Sequence, residues 1–234
     1  MIMSTVLIGN RPAHRVEIGG TELLSSELTQ KVGEALDRAE DLGASAVMVV
    51  HVVGAMNSGG FRPWPGPVDI GAIQKWERVL RRIERSHVAT IVLVEHACSA
   101  LALELLLLAD RRLARGSFSL RFSEGNVWPG MALYRLSRQI GESQARRLLL
   151  DAANVTAEQC IELNIIDKIV DNSGDGFDPA AHLLEYVPSD EFAVCRRLMQ
   201  DSLSTSFDDA LGLHMAACDR LLRRGGVERN RVNP

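Results

Sequence analysis

One stretch of the chain decides the fold: Ser99-Ala100-Leu101-Ala102-Leu103-Glu104-Leu105-Leu106-Leu107-Leu108-Ala109-Asp110. Leucine and alanine are strong helix formers, and the stretch follows a β-branched run, Ala89 to Val94, that is typical of a strand. A helix that is apolar on every side is normally buried, so we expect Glu104 to lie out of contact with water. Burial of a carboxylate is costly and raises its pKa, which makes Glu104 a candidate for chemistry.

Two structural explanations compete with this interpretation of Glu104. The side chain can reach solvent from the first turn of the helix, or it can form an ion pair with Arg111 or Arg112. Either arrangement would make the carboxylate structural, because ion pairs also shift pKa values.

The bulk composition restricts the class of protein. The 234 residues suit one α/β domain, or one domain with an appendage. A hydrophobic content of 46% with 24% charged residues is typical of a globular protein. The net charge of −4 and the mixing of basic with acidic residues argue against a nucleic-acid partner. The sequence shows neither a stretch of 18 apolar residues nor a signal peptide, so we expect no membrane association.

The cysteines and histidines predict a cytoplasmic protein without a metal site. Cys98, Cys160, Cys195 and Cys218 are widely spaced, which is typical of reduced thiols and excludes a cysteine-based zinc site. The six histidines show no metal-ligand spacing either.

The order of elements predicts an α/β fold with a mostly parallel sheet. Residues 4–20 predict a hairpin and residues 21–42 a helix. Ala46–Val53 and Ala89–Val94 are continuous apolar runs, as expected for strands covered on both faces, and a helix over Ile70–Glu84 joins them. The long loop between the first strand and this helix, residues 54–68, is a candidate functional segment.

Two short strands, at 112–114 and 118–122, follow the Glu104 helix. They lead into a turn-rich loop, residues 123–130, that carries a second carboxylate, Glu124. Helices over 131–140 and 142–150, a helix capped by Thr156 and a strand over 167–170 come next. We interpret residues 171–178 as a linker, residues 179–224 as helical and residues 225–234 as a frayed tail.

Four segments of this chain resemble motifs of the crotonase superfamily, the enoyl-CoA hydratases and isomerases. They are Gly66-Pro67-Val68-Asp69-Ile70, the stretch from Leu103-Glu104-Leu105 to Asp110, Trp128-Pro129-Gly130-Met131-Ala132-Leu133-Tyr134-Arg135-Leu136, and the segment from Ala157 to Asp167. The third segment is also similar to the auxiliary crotonases that assist dihydroxyphenylacetyl-CoA synthesis, for dihydroxyphenylglycine, in glycopeptide-antibiotic biosynthesis.

The resemblance implies a crotonase-like (β-β-α)n spiral core over residues 1–172 and a C-terminal helical region over residues 173–234. By the same resemblance the helical region would cover the pocket and build a homotrimer or hexamer. The substrate would be an acyl-CoA thioester, with coenzyme A as part of the substrate and no further cofactor. A partner enzyme of the same pathway is a further expectation.

The resemblance also implies the site residues of an acyl-CoA hydratase or dehydratase, a lyase that works through a thioester enolate. Glu104 and Glu124 occupy the two acid/base positions, and the backbone amides of Gly66 and Leu101 would form the oxyanion hole. Four residues of the two site loops would bind the substrate: Trp64, Val68, Trp128 and Gly130. The two tryptophans have an alternative role as loop anchors.

Departures from the family pattern leave two other functions open. Ala100-Leu101-Ala102 stands where the family has glycines, and Pro63, Pro65 and Pro67 stiffen the first loop, so the chain could instead bind or activate another enzyme without turnover. A serine peptidase with Ser99 as nucleophile is the other function. The sequence has no histidine between His96 and His182 to act as its base, so we expect Ser99 to be a helix N-cap.

Overall fold

The computed structural model describes residues 3–8, 10–43, 45–56, 63–121, 128–151, 154–171 and 189–232. Its strands are β1 (Met3–Ile8), β2 (Arg11–Gly19), β3 (Val47–Val53), β4 (Ala89–Glu95), β5 (Ala97–Cys98), β6 (Arg111–Arg115), β7 (Ser119–Arg121), β8 (Asn154–Thr156) and β9 (Lys168–Val170). Its helices are α1 (Ser26–Asp41), α2 (Ile70–Arg85), α3 (Ala100–Leu106), α4 (Met131–Ile140), α5 (Glu142–Asp151), α6 (Ala157–Glu162), α7 (Ser189–Ser202) and α8 (Phe207–Val232).

The strands form two sheets. The larger has the order β1-β2-β3-β4-β6-β9, and all of its pairs are parallel except the β1–β2 hairpin. The smaller has the order β5-β7-β8. The chain passes from β4 in the large sheet to β5 in the small one and then into α3, and β6 and β7 repeat the passage. This alternation is the predicted (β-β-α) spiral.

The central strands are buried on both faces, as their continuous apolar sequences predict. All residues of β3 and β4 except the last of each are buried. One face packs on the main core, which includes α1, α2 and α3, and the other carries a smaller cluster against which Phe192 of α7 packs. The predicted hairpin and the predicted α2 are confirmed.

Side-chain caps fix where several helices begin. Asp69 Oδ1 accepts from the Ala72 amide at 2.7 Å, and Thr156 caps α6 in a reciprocal capping box. The prediction that the first helix begins at residue 21 is wrong, because Ser25 Oγ accepts from the Leu28 amide and starts α1 at Ser26. The predicted frayed tail is also wrong, since α8 continues to Val232.

An ion pair fastens α7 to the large sheet. Arg196 Nη1 lies 2.5 Å from Asp110 Oδ2, and the same guanidinium donates to the carbonyls of Ser86 and Val88. The side chains of Arg196 and Asp110 are each 8% exposed. Within the described ranges, no helix is long and apolar enough to cross a membrane.

Candidate active site

Glu104 lies on α3 with only 1% of its surface exposed. Its two oxygens accept hydrogen bonds from two different indoles: Trp64 Nε1 donates to Oε1 at 3.2 Å and Trp76 Nε1 donates to Oε2 at 2.5 Å. The burial predicted from the apolar helix is therefore confirmed. Both structural explanations are wrong, because the side chain does not reach solvent and its described partners are tryptophans. Arg112 pairs with Asp167 instead.

Burial raises the pKa of Glu104 from its ordinary value of 4.5 to about 7. The hydrogen bonds from Trp76 and Trp64 act in the opposite direction because they stabilise the ionised carboxylate. Two charges complete the surroundings: the carboxylate of Glu77 raises the pKa and the guanidinium of Arg135 lowers it. A carboxyl group with a pKa near neutrality is suited to general acid–base chemistry.

The two indoles come from the predicted functional loop and from the helix that follows it. Trp64 is on the loop, 4% exposed, and Trp76 is on the buried face of α2, 1% exposed. Their rings meet edge to face, with centroids 5.8 Å apart. The loop is fixed further by the Pro65 carbonyl, which accepts from the Leu24 amide at 3.0 Å.

Gly66, the first candidate oxyanion donor, lies two residues after Trp64 with a φ of +87°. Residues with a Cβ rarely adopt this conformation, and a Cβ here would also come within 3.0 Å of Leu23. The Gly66 carbonyl accepts from the Val68 amide at 3.1 Å, which turns the chain toward α2. Val68 is half-buried against the main core.

Leu101, the second candidate donor, lies in the first turn of α3. Its amide donates to Ser99 Oγ at 3.3 Å, and Ser99 is therefore the N-cap that the sequence predicts. This bond is longer than the usual 2.9–3.0 Å, so it is a weak competitor for the amide.

The second site loop leads into α4. Gly130 is the residue before the helix, and a Cβ there would come within 2.2 Å of Trp128 Nε1, so the indole packs directly on the glycine. One turn into α4, Arg135 is partly buried and donates hydrogen bonds to two carboxylates of α2, Glu84 at 2.6 Å and Glu77 at 3.0 Å. These ion pairs hold α4 against α2 beside Glu104.

The structure brings some of the predicted site residues together. Glu104 and Trp64 are in contact, Gly66 and Val68 share the loop of Trp64, and Leu101 lies one turn before Glu104 on the same helix. Glu124 lies outside the described residues. Sequence reasoning did not place Trp76 or Arg135 at the site. Trp76 carried a signal, because a buried indole needs an acceptor and Glu104 was a buried acceptor in need of donors.

Comparison with known proteins identifies the family. The chain is 35% identical over 211 residues, 89% of its length, to a curated protein of Amycolatopsis orientalis named enoyl-CoA hydratase, and it covers 95% of that protein. It belongs to the crotonase superfamily of enoyl-CoA hydratases and isomerases. No protein-family model matches the sequence. A second relative of this crotonase, the ethylmalonyl-CoA decarboxylase of Xenopus tropicalis, is 27% identical over 144 residues, 58% of this chain and 48% of the relative.

Solved structures confirm the crotonase fold. An enoyl-CoA hydratase/isomerase from Mycobacterium abscessus superposes with a TM-score of 0.76 at 20% identity, covering 94% of this chain and 90% of that structure. The enoyl-CoA hydratase of Thermoplasma volcanium gives a TM-score of 0.74 at 16% identity, covering 90% and 89%. The predicted α/β architecture with a spiral core is therefore confirmed.

Proposed function

We propose that this crotonase is an acyl-CoA hydratase or dehydratase in which Glu104 transfers a proton. The observation that carries the proposal is the buried Glu104 carboxyl with its pKa of about 7, one turn after the Leu101 amide on the same helix. Membership of the superfamily supports a CoA thioester as substrate. The names of both curated relatives refer to reactions of such thioesters.

The proposed chemistry divides between two carboxyl groups and two backbone amides. Glu104, with Glu124 as the second carboxyl group, would move protons between water and the carbons next to the thioester carbonyl. The amides of Gly66 and Leu101 would stabilise the enolate oxygen, and the N-terminal end of α3 would add a positive field there. Val68, Trp128 and Gly130 would line the acyl site. Coenzyme A enters as part of the substrate, without a separate cofactor.

The test is a hydration assay with enoyl-CoA substrates of different acyl groups. Glu104→Gln and Glu124→Gln should each lower kcat by about a hundredfold or more. Glu142→Gln is the matched control, since Glu142 is an exposed carboxylate on α5 that pairs with Arg146 one turn away. Full activity in both site variants would refute the proposal.

A second function, the binding or activation of another enzyme without turnover, is favoured by one observation. Each oxygen of Glu104 already accepts a hydrogen bond from a buried indole, which leaves a substrate fewer directions from which to approach the carboxylate. Calorimetry with acyl-CoAs and with candidate enzymes of the same pathway separates the two functions. Tight binding of an enzyme without binding of CoA would support this second function.

The narrower assignments rest on the sequence. Similarity of the 128–136 segment to the auxiliary crotonases of dihydroxyphenylacetyl-CoA synthesis supports a role in antibiotic biosynthesis. The free thiols of Cys98, Cys160, Cys195 and Cys218 support a reducing, cytoplasmic location. Exposed apolar side chains of α8, among them Phe207, support assembly into a homotrimer or hexamer.

A further inference from the structure

In both contacts between Glu104 and an indole, the indole is the hydrogen-bond donor and the carboxylate is the acceptor. An indole N–H donates a hydrogen bond and cannot accept one. A carboxylate can accept from both indoles at full strength, whereas a protonated carboxyl group has one weaker acceptor and a hydroxyl proton that neither indole can receive. The arrangement therefore favours one protonation state of Glu104 over the other.

We propose that Trp64 and Trp76 are positioning residues that favour the ionised form of Glu104, so that it can act as a proton acceptor. This inference rests on the proposed function for its catalytic part. The two indoles bond to different oxygens, so together they fix the plane of the carboxylate as well as its charge.

The two donors are not equivalent. Trp76 makes the shorter bond, 2.5 Å against 3.2 Å, and it is held within the regular backbone of α2. Trp64 belongs to the loop that also carries Gly66, the candidate oxyanion donor. Trp64 is therefore the donor nearer in sequence to the candidate oxyanion donor, and Trp76 is the donor with the shorter bond.

Other charged groups around Glu104 cannot take over this role. Arg135 of α4 acts on Glu104 through its charge, but its described hydrogen bonds go to Glu84 and Glu77 of α2. Glu77 has the opposite effect, because its negative charge disfavours ionisation of Glu104. The two indoles are the described hydrogen-bond donors to the carboxylate.

Indole N–H resonances of the full chain test the inference without any substrate. The chain has three tryptophans, and we expect the signals of Trp64 and Trp76 to move together as Glu104 titrates near pH 7, while that of Trp128 does not follow this transition. Glu104→Gln should abolish the movement. Static signals in the unmodified protein, or movement that persists in Glu104→Gln, would overturn the inference.

Substitution of one donor tests the direction of the effect. Trp64→Phe and Trp76→Phe each remove one charge-assisted hydrogen bond, so the midpoint reported by the remaining indole should rise by about one to two pH units. Trp128→Phe is the matched control and should leave the midpoint unchanged. An unchanged or lowered midpoint in Trp64→Phe or Trp76→Phe would show that the substituted indole does not stabilise the ionised form of Glu104.

The role of Glu104 as proton acceptor is tested separately, by the pH dependence of kcat/KM. In an active protein, the acid limb of kcat/KM against pH should move upward in Trp76→Phe by the same interval as the titration midpoint. An acid limb that stays in place while the midpoint moves would refute the assignment of Glu104 as the acceptor. If no turnover is found with any acyl-CoA, the proposed function fails, and so does the role of Glu104 as proton acceptor. The indole titration still decides whether the two tryptophans stabilise the ionised carboxylate.

Discussion

Glu104 combines two opposing influences on one carboxyl group. Desolvation by the leucine helix favours the neutral form, and the two indole donors favour the ion. The balance leaves its pKa at about 7, where a small change in surroundings changes the protonation state. A group balanced in this way is useful for proton transfer and costly for stability.

Because the pKa of Glu104 is higher in the folded protein than in the unfolded chain, the free energy of unfolding depends on pH. The folded protein retains the Glu104 proton up to about pH 7, whereas the unfolded chain releases it near 4.5. The contribution of Glu104 to the free energy of unfolding is therefore full below pH 4.5 and falls by about 3 kcal/mol as the pH rises through 7. Urea unfolding of the wild type and Glu104→Gln at pH 5 and pH 8 measures it. The stability of the variant relative to wild type should increase with pH, and a constant difference would contradict the assigned pKa.

Gly66 gives a second prediction at this scale. Alanine at φ +87° is strained and would press on Leu23, so Gly66→Ala should lower the free energy of unfolding by about 1–2 kcal/mol. In an active protein it should also lower kcat, because the candidate amide donor would shift. Gly116→Ala is the control, since a Cβ at Gly116 meets nothing within 4 Å. Equal stability of the two variants would show that the turn at Gly66 relaxes.

Sequence reasoning reached Glu104 but not its partners for a physical reason. The burial of one helix follows from its own residues, because leucines surround the acid on every face. Contact with Trp64 and Trp76 depends on how the loop and α2 pack across 40 and 28 positions of chain, which no local pattern encodes. The motif resemblance placed Trp64 at the site, and it gave no sign that the indole and the acid are hydrogen-bonded.

At the scale of elements, helix starts were predictable where a cap was recognised. Ser99 and Thr156 were expected to cap helices, and each does. The start of α1 was placed five residues early, because helical periodicity continues upstream of Ser25. The hydrogen bond that the Leu28 amide donates to Ser25 Oγ sets the first turn. The cap is a stronger determinant of a helix end than periodicity.

The attachment of α7 depends on the ion pair between Arg196 and Asp110. Arg196→Met would leave the buried Asp110 without its counter-charge, and we expect the free energy of unfolding to fall by about 3–5 kcal/mol. Adding Asp110→Asn should restore part of the loss, because the buried charge is then gone. Arg197→Met is the control, since the adjacent Arg197 is 83% exposed and should change stability by less than about 0.5 kcal/mol. A similar loss in both single variants, measured by urea unfolding, would exclude a special role for Arg196.

At the scale of the molecule, the spiral core was predictable from the sequence. The exposure of the apolar side chains on the C-terminal helix α8 was not. Continuous apolar strands joined by helices restrict the sheet to a mostly parallel order, and the motif order indicated the family. By the resemblance, the C-terminal helical region was expected to cover the pocket and to build a homotrimer or hexamer. In the part of the chain that the structure describes, Phe207 is 80% exposed and Leu222 is 75% exposed.

These side chains make assembly a measurable consequence. If α8 joins copies of the chain, light scattering should give three or six times the 25.7 kDa of one chain. Phe207→Glu and Leu222→Glu should each shift the population toward monomer, because a charge buried in an apolar interface is strongly disfavoured. Leu7→Glu is the matched control, since Leu7 lies on β1 with the same 75% exposure as Leu222. A monomeric wild type, or an oligomer unaffected by both α8 variants, would assign the exposed face of α8 to another partner, such as the enzyme of the second proposed function.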